Sequence, residues 1–320
     1  MSTRTLASHT RPAAAPQDLP GSPRRPARRR RRETRAAMLF LAPDAVGLLI
    51  FVALPMLLSV ALGFFWIDGF GNFDFVGLDN YVRLAQDPQF WNSARVTVLY
   101  LVALVPLIFV TGLGLALLVQ QSFPAVGAIR SALFMPYVVS IVVVSMVWQF
   151  MLTDRTGVVA TVLSWIGIEG ISFLGDPKYA LGTVIAVTIW LQMGYYMIIF
   201  LAGLQDIPAE LYEAARIDGA GAWARFRRIT LPLLAPTSFF VLLTSMVAVV
   251  TGGLDMIFVL TSGGPANSTS LLIFYIYQQA FLFGDLGYAA AVGSVLVAFL
   301  LLVSAVMFLM TRGGRFSHDD

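Results

Sequence analysis

Long apolar segments alternate with shorter polar ones along most of the chain. Six of them approach the roughly 20 residues that a helix needs to cross the hydrocarbon core of a bilayer. The pattern therefore predicts an all-α polytopic membrane protein with six transmembrane helices. The predicted spans cover residues 38–64, 95–119, 130–152, 180–202, 237–260 and 287–310. Pro55, Pro106 and Pro136 fall inside spans and predict kinks, which transmembrane helices tolerate.

Composition supports a membrane protein and excludes several other classes. Of 320 residues, 58% are hydrophobic and 12% are charged, about half the charged share of a typical soluble domain. The absence of cysteine excludes disulfides, thiolate metal sites and cysteine nucleophiles. The two histidines, His9 and His318, lie in the polar end segments, so a histidine metal site or catalytic triad is not expected.

Nucleotide binding by this chain is not expected either. A phosphate loop places its lysine directly after a glycine, so that bare backbone amides surround the phosphates. The single lysine, Lys178, instead follows Asp176 and Pro177. We therefore expect a chain that is not an enzyme and holds no catalytic residue, metal or cofactor. If the protein uses ATP, another chain binds it.

The basic residues indicate the orientation. With the N-terminus in the cytoplasm, all lysines and arginines except Arg83, Arg95, Arg155 and Lys178 fall on the cytoplasmic side, as the positive-inside rule requires. Both termini are therefore expected inside the cell. The arginine-rich segment 1–36 is expected to be a disordered tail whose charges contact anionic membrane lipid. Such a tail accounts for the charge, so nucleic acid is not an expected partner.

These predictions divide the chain into an N-terminal tail, one membrane domain and a short C-terminal tail. The corresponding ranges are 1–36, 37–311 and 312–320. The outer connections, too small for separate domains, are 65–94, 153–179 and 261–286. In the last one, the amphipathic stretch from Leu271 to Phe283 predicts a short helix that lies flat at the outer membrane interface.

One inner loop, residues 203–232, is long and predicts two short helices. Pro208 suits the first position of a helix, and Glu210 in the first turn complements the helix dipole. Gly219 is expected to end this helix, because glycine accepts the left-handed conformation found there. A second helix is expected over about 221–230.

The surface of the first helix in this loop allows two interpretations. Ala214 and Ala215 are small, so another protein can approach the backbone closely, and Glu213 offers a charge beside them. The helix therefore suits a groove on a partner protein. Alternatively, it packs on its own bundle and the alanines only fill space. Physical reasoning alone leaves both open.

The spacing of residues in this loop resembles a known motif. The motif is the "EAA" loop of binding-protein-dependent ABC importer permeases. It consists of a glutamate and two alanines, a glycine after three more residues, an isoleucine after nine more, and a leucine–proline pair after one more. This chain matches it at Glu213, Ala214, Ala215, Gly219, Ile229, Leu231 and Pro232. Four further stretches resemble the carbohydrate branch of that family, the maltose-type and glycerol-phosphate-type permeases: 75–81, 130–140, 255–265 and 277–281. The resemblance covers about residues 38–312.

The resemblance implies a type I ABC importer permease in a bacterial plasma membrane. In that family, two permease subunits, often different chains, pair in the membrane. Two ATPase subunits hold ATP and magnesium, and each binds one coupling loop in a cleft. An extracytoplasmic binding protein delivers the solute, here a sugar, and ATP-driven rigid-body gating moves it across.

The resemblance also implies roles for residues of the loop. Glu213 would pair with the ATPase, Ala214, Ala215 and Gly219 would permit close approach and the turn, and the later residues would pack the loop on the bundle. The residues assigned to coupling are Glu213, Ala214, Ala215, Asp218, Gly219, Ile229, Leu231 and Pro232.

Polar side chains inside the predicted spans are candidates for the solute path. Amide, phenol and aromatic groups are the ones that bind sugars. Span four carries four on one helical face and span three a similar cluster: Thr188, Gln192, Tyr195 and Tyr196, with Ser145, Trp148 and Gln149. The alternative is that they form hydrogen bonds between helices, worth about 0.6 kcal/mol each.

Two acidic residues complete the set of candidates. Asp255 follows Gly252 and Gly253 in the outer part of span five, where it either lines an outer cavity or makes a structural contact, the interpretation we favour here. Asp44, near the inner end of span one, is expected at the membrane interface.

Two other kinds of function compete with an ABC permease. A secondary transporter driven by an ion gradient needs ion sites near mid-membrane and often an inverted repeat. Only Asp255 is acidic deep within a span, and no repeat is visible. A membrane scaffold or receptor without transport is the third possibility, and it leaves the spacing of the loop motif as coincidence.

Overall fold

The computed structural model describes residues 27–67, 72–121, 123–154 and 156–312. The chain divides into two compact units, one up to Pro55 and one from Met56. Helix α1 (Ala27–Leu48), a π-helical segment (Leu49–Ala53) and helix α2 (Leu54–Leu62) follow one another without a break. Their apolar part, Met38–Leu62, is long enough to cross a membrane.

Part of the predicted disordered tail is helical. Helix α1 begins at Ala27, so the prediction of disorder is wrong for residues 27–36. Arginine has a high helix propensity, and the arginine run leads directly into the apolar helix. Asp44 lies within α1 and is exposed. The remaining tail predictions, for residues 1–26 and 313–320, fall outside the described residues.

The rest of the chain contains two short strands and twelve further helices among the described residues. In chain order these are β1 (Phe65–Ile67), β2 (Phe73–Phe75), α3 (Asp79–Gln86), α4 (Pro88–Val119), α5 (Val126–Val138), α6 (Ile141–Met151), α7 (Val158–Trp165), α8 (Pro177–Gln205), α9 (Ala209–Ile217), α10 (Ala222–Arg225), α11 (Leu231–Leu233), α12 (Ala235–Leu260), α13 (Leu272–Tyr277) and α14 (Leu286–Arg312). Single π-helical turns, Phe226–Thr230 and Gln278–Leu282, follow α10 and α13.

Helices α4, α8, α12 and α14 have the length and apolar composition of membrane spans. Helices α4 and α8 begin earlier than predicted because an aspartate and a proline start each of them. The side chain of Asp87 accepts a hydrogen bond from the backbone N–H of Gln89 at 2.8 Å. Asp176 does the same for Lys178 at 2.9 Å. These are N-caps that satisfy free amides at a helix start.

The third predicted span is not a straight helix. Helices α5 and α6 meet at 95°, so residues 130–152 form a bent pair that counts as at most one span. Pro136 lies near the end of α5, and the backbone becomes extended at Val139 (φ −77°, ψ 145°). Proline removes a helical hydrogen bond and favours such a break. Helix α5 then packs on α8, whereas α6 packs on α12.

The two ends of the bundle differ in structure. At one end, here called the hairpin end, lie residues 63–67, 72–87 and 261–285. Strands β1 and β2 pair antiparallel there, with Phe65 opposite Phe75. The side-chain amide of Asn80 in α3 donates to the carbonyls of Gly63 and Phe65, at 3.0 and 2.9 Å. At the other end, here called the loop end, lie residues 205–234.

The short helix predicted between Leu271 and Phe283 is present as α13 and the π-helical turn after it. Its surroundings differ from the prediction of a helix lying flat at an interface. Leu272, Phe274 and Tyr275 are buried, and α13 packs against α4, α12 and α14. The backbone N–H of Leu272 donates to the hydroxyl of Thr97 in α4 at 2.8 Å. The protein interior therefore takes up the apolar face of this helix.

The core of the bundle runs along the seam between α4 and α8. Leu104, Ile108 and Phe200 are fully buried there. Two glycines allow close helix approach. A Cβ at Gly112 would lie 3.0 Å from that of Tyr196, and one at Gly194 would lie 2.0 Å from the carbonyl oxygen of Leu133 in α5. Such contacts hold helices together where van der Waals packing drives association.

Candidate coupling loop and solute path

Helix α9 begins the loop that the sequence singles out. Pro208 stands immediately before the helix (φ −56°, ψ 130°) and not at its first position, one residue away from the prediction. Glu210 lies in the first turn and Arg216 in the last, so both charges complement the helix dipole. The short helix is therefore stabilised locally by its own sequence.

Gly219 ends this region as predicted. Its φ of +77° lies in the left-handed region, where a side chain is strained. The backbone N–H of Gly219 donates to Arg216 O at 3.0 Å, and that of Ala220 donates to Ala215 O at 2.8 Å. This pair of bonds is a glycine-dependent C-terminal motif that satisfies the last carbonyls of a helix.

The second half of the loop consists of α10, the π-helical turn Phe226–Thr230 and α11. The guanidinium of Arg225 donates to Ala220 O at 3.0 Å. The hydroxyls of Tyr212 and Thr230 lie 3.0 Å apart and join the two halves of the loop. Thr230 is buried. The loop is thus a folded unit joined by a few polar bonds.

The packing residues of the loop differ from those predicted. Ile229 is half-buried and packs against the core, as expected. Leu231, with 36% of its surface exposed, and Pro232 point away from the core. Thr230 and Leu234 are buried in their place. A π-helical turn holds one residue more than an α-helical turn and so shifts which side chains face inward.

The remaining residues predicted for coupling form an exposed surface. Glu213, Ala214, Asp218 and Gly219 are exposed and Ala215 is half-buried. Two large apolar side chains flank them, Ile217 at 87% and Trp223 at 71% exposure. Sequence reasoning missed both as site residues. The available signal was their place beside the motif, in a loop with too many apolar residues for a solvated surface.

Three of the solute-path candidates are internal structural residues. Ser145 is buried and donates to Ile141 O at 2.7 Å. Thr188 donates to Val184 O at 2.8 Å and lies 2.9 Å from the hydroxyl of Tyr100 in α4. Tyr196 is buried on the α4 seam. The contacts of these three fit the alternative of bonding and packing between helices, because Ser145 also donates to Met256 Sδ of α12 and α4 covers Thr188 and Tyr196.

Four other candidates remain accessible to some degree. Gln149 is exposed, and Trp148, Gln192 and Tyr195 are half-buried. Two of them belong to aromatic pairs. Tyr195 stacks on Tyr137 of α5, with ring centroids 4.5 Å apart, and Trp148 meets Trp190 edge to face at 5.5 Å. The candidate residues are therefore divided between an interior group and an accessible group.

Asp255 is exposed, and it hydrogen-bonds to none of the described residues. The structural contact favoured above is therefore absent from the described part of the chain. Thr251, Gly252 and Phe258 are exposed on the same face of α12, whereas Met256 and Ile257 are buried on the opposite face. The carboxylate thus points away from the bundle that this chain builds.

A polar cluster at the hairpin end was not predicted from the sequence. The hydroxyls of Tyr275 and Tyr288 both donate to Asp87 Oδ2, the latter at 2.5 Å. Arg83 donates to Asp285 at 2.5 Å, and its guanidinium lies 4.1 Å from the ring centroid of Tyr288. These five residues come from three short stretches, 83–87, 275 and 285–288, and the first lies far from the other two in sequence. We call them the hairpin cluster.

Burial and hydrogen bonding shift the acidities in the hairpin cluster. Burial acts to raise the pKa of Asp87, but the two tyrosine hydroxyls and the amides of Gln89 and Phe90 stabilise the carboxylate and hold its pKa below the ordinary value. Burial, then the bond to Asp87, raises the pKa of Tyr275 to about 12. The cluster therefore pairs an ionised carboxylate with neutral phenols at physiological pH.

A model of the binding-protein-dependent transport system inner membrane component family matches residues 108–313. The chain belongs to this family. Among its relatives, a sulfoquinovosyl glycerol transport system permease protein of Agrobacterium fabrum is 35% identical over 278 residues, covering 86% of this chain and 90% of that protein. A trehalose/maltose transport system permease protein of Thermococcus litoralis is 33% identical, covering 90% and 96%.

A solved structure resembles this chain closely. It is a bacterial alginate ABC transporter in complex with an alginate pentasaccharide-bound periplasmic protein, with a TM-score of 0.76 and 27% identity. The match covers 89% of this chain and 96% of that chain. The resemblance to carbohydrate ABC permeases and the type I permease fold are thereby confirmed. The protein is a multi-pass membrane component of a transport system, and an ion-gradient transporter is not favoured.

Among the described residues, no group of three or more histidines, cysteines, aspartates or glutamates is arranged to hold a metal ion. What the fold offers is an exposed loop surface at one end and accessible polar groups along α6, α8 and α12. Both features suit a transport subunit that works with other chains.

Proposed function

We propose that this chain is one permease subunit of an ATP-driven importer for a sugar or oligosaccharide, and that α9 couples it to an ATPase. The observation that carries the coupling role is the division of the loop into two faces. Tyr212 and Thr230 bind the loop to itself, while Glu213, Ala214 and Ile217 face outward. A helix whose own bundle leaves this surface uncovered is shaped for a partner.

In the proposed mechanism, the exposed face of α9 lies in a cleft of an ATP-binding subunit. Glu213 supplies a charge for a cation of that subunit, and the small Ala214 and Ala215 permit close approach. Gly219, at φ +77°, lets the chain reverse directly after the helix. Asp218 is the C-cap residue of α9 and lies on the same exposed surface. Movement of the ATPases is passed to α8 and α12 as rigid bodies.

The ATP-binding subunits, and not this chain, hold ATP and magnesium, so hydrolysis belongs to partner chains and this chain has no catalytic residue. The other proposed partners are a second permease subunit, a different chain by analogy, and a binding protein outside the cell. A periplasmic protein occupies that role in the related alginate structure. The hairpin end faces it, and both termini are cytoplasmic in a bacterial plasma membrane.

The solute path is proposed to use the accessible group of polar residues. Gln192, Gln149 and Asp255 present amides and a carboxylate, and Trp148 and Tyr195 present aromatic faces. These groups match the hydroxyls and C–H surfaces of sugars. Asp255 faces away from its own bundle, and a carboxylate there costs about 2.5–3.5 kcal/mol in lipid. A water-filled path or the second permease subunit therefore adjoins this face of α12.

The test is ATP-dependent sugar uptake by the complex, reconstituted in proteoliposomes with its genomic neighbours. A panel of sugars with the binding protein should identify one that stimulates hydrolysis. Glu213→Lys should abolish this stimulation. Asp206→Lys makes the same charge change at an exposed position before α9 and outside the motif, and should retain it. Equal stimulation in both variants would contradict the coupling role of α9.

A further inference from the structure

A groove between α4 and α8 at the hairpin end joins a basic rim to apolar walls. It encloses a cavity of about 470 Å³. The rim contains Asn92, Arg95, Lys178 and Ser268, and the walls contain Val96, Leu99, Ala103, Leu181 and Ile185. The groove therefore changes from polar to apolar along the helices that form it.

The helix register gives this groove its depth. On α4, Arg95, Leu99 and Ala103 follow one another at intervals of four residues and lie on one face. Eight residues of α-helix rise about 12 Å. On α8, Lys178 lies at the polar rim and Ile185 lies further along the helix on the apolar wall. An elongated apolar group of about this length fits below the two cations.

The rim is left without anionic partners by the described part of the chain. Arg95 and Lys178 are exposed, and neither forms an ion pair with a described residue. The carboxylate of Asp176 is engaged by the backbone N–H of Lys178. The hydroxyl oxygen of Ser268 is buried, and no described residue hydrogen-bonds to it. Lys178 Nζ lies 5.2 Å from the ring centroid of Tyr179, a contact that does not neutralise its charge. Two cations without anionic partners beside an unpartnered hydroxyl suit a phosphate diester.

The rim is also held in position. The side-chain amide of Asn92 in α4 donates to Asn267 O at 3.1 Å, and the Asn267 amide donates to Gln89 Oε1 at 3.0 Å. The turn that carries Ser268 is therefore joined to the start of the same helix that carries Arg95. Arg95 and the hydroxyl therefore belong to one preformed edge, with Lys178 on the neighbouring helix α8.

We propose that this groove binds an anionic phospholipid. Its phosphate lies between Arg95 and Lys178, with Ser268 as donor, and an acyl chain lies along Leu99, Ala103 and Ile185. A free anion gains nothing from apolar walls, and a sugar would leave them unmatched. The single ligand class that matches both halves of the groove is a negatively charged lipid in the leaflet at the hairpin end.

The test uses the assembled importer in nanodiscs of equal parts phosphatidylglycerol and phosphatidylcholine. After release into mild detergent, native mass spectrometry counts the retained lipids. The wild type should retain phosphatidylglycerol selectively. Arg95→Gln with Lys178→Gln should lower that selectivity about thirtyfold, as two lost surface cations predict. Arg227→Gln with Arg228→Gln removes the same charge from exposed positions at the loop end and should leave the selectivity unchanged.

A second variant separates lipid from free anion. Gly182 lines the groove, and an added Cβ there meets no atom within 4 Å, so Gly182→Leu directs a side chain into open space in the groove. It should lower phosphatidylglycerol retention several-fold while both cations remain. Three results would overturn the proposal. The first is an equal loss of phosphatidylglycerol selectivity in the two double charge variants, and the second is lipid retention unaffected by either groove variant. The third is full displacement of the lipid by soluble glycerol phosphate.

Discussion

The hairpin end and the loop end obtain their structure in opposite ways. At the hairpin end, Asp87 joins Tyr275 and Tyr288 across nearly 200 residues of sequence, and Arg83 reaches Asp285. At the loop end, the side-chain bonds join nearby residues: Tyr212 to Thr230 spans 18 residues and Arg225 to Ala220 spans 5. The first region is cross-linked by distant segments, whereas the second folds from local signals.

This difference shows what each region needs from outside the chain. The polar groups of the hairpin cluster satisfy one another within the chain. The loop end satisfies its backbone but leaves Ile217 and Trp223 exposed beside Glu213. Large exposed apolar side chains mark a surface that is completed by a partner. Variants at the two ends should therefore affect different measurements.

The largest effect is expected at Gly219. Gly219→Asp places a charged side chain at φ +77° on the exposed surface proposed for coupling. We expect ATP-dependent uptake to fall to background while the amount of protein in the membrane, measured by immunoblot, stays within about twofold of wild type. Gly219→Asn is the matched control, because asparagine tolerates the left-handed region and carries no charge. A comparable loss of uptake in both variants would show that the backbone conformation at Gly219, and not the added charge, causes the effect.

The next effect is expected at Asp87. Asp87→Ala removes the cap of α4 and the acceptor of two tyrosine hydroxyls. Losing a cap and leaving buried donors unsatisfied costs about 2–4 kcal/mol. Thermal unfolding in detergent should show a clear drop in Tm, with sugar-stimulated hydrolysis per folded complex retained. An unchanged Tm would mean that the hairpin cluster does not stabilise this end.

A smaller effect is expected from alkaline pH. Burial and the bond to Asp87 raise the pKa of Tyr275 to about 12 in the folded state, above its ordinary value of 10.0. Its contribution to stability is therefore complete below pH 10 and is lost as pH rises towards 12. Comparing Tm for wild type and Tyr275→Phe from pH 9 to 11.5, we expect the gap to narrow as pH rises. A constant gap would refute the raised pKa.

The smallest effect is expected from the bond inside the loop. Tyr212→Phe and Thr230→Val each remove one side-chain hydrogen bond between the halves of the loop, worth about 1 kcal/mol. We expect each to lower Tm slightly and uptake by less than about twofold. The double variant should cost no more than either single one, since both remove the same bond. Strict additivity would show that the hydroxyls act separately.

The loop end was largely predictable because its signals are local. Glu210, Arg216 and Gly219 act within a few residues of themselves, and helix α9 follows from them. The exposure of Leu231 and Pro232 was not predictable, since one extra residue in the π-helical turn reverses which side faces the core. The hairpin cluster had no sequence signal, because its members come from segments that only folding brings together.

The same division holds for the solute path. Thr188, Gln192, Tyr195 and Tyr196 share one predicted helical face, yet Thr188 and Tyr196 are covered by α4 while Gln192 and Tyr195 stay accessible. Periodicity defines a face of a helix but not which part of it a neighbour covers. Asp255 differs from its prediction in the opposite direction. Its carboxylate was expected to make a contact inside the bundle, but it faces outward.

The sequence by itself determined five of the membrane-spanning helices, helix α9 and the turn at Gly219, since hydrophobic length and backbone preference act locally. Only the tertiary structure decided the 95° bend between α5 and α6, the burial of Ser145, Thr188 and Tyr196, and the hairpin cluster. These features depend on which helices meet and at what angle, and such contacts between distant segments leave no periodic trace in the chain.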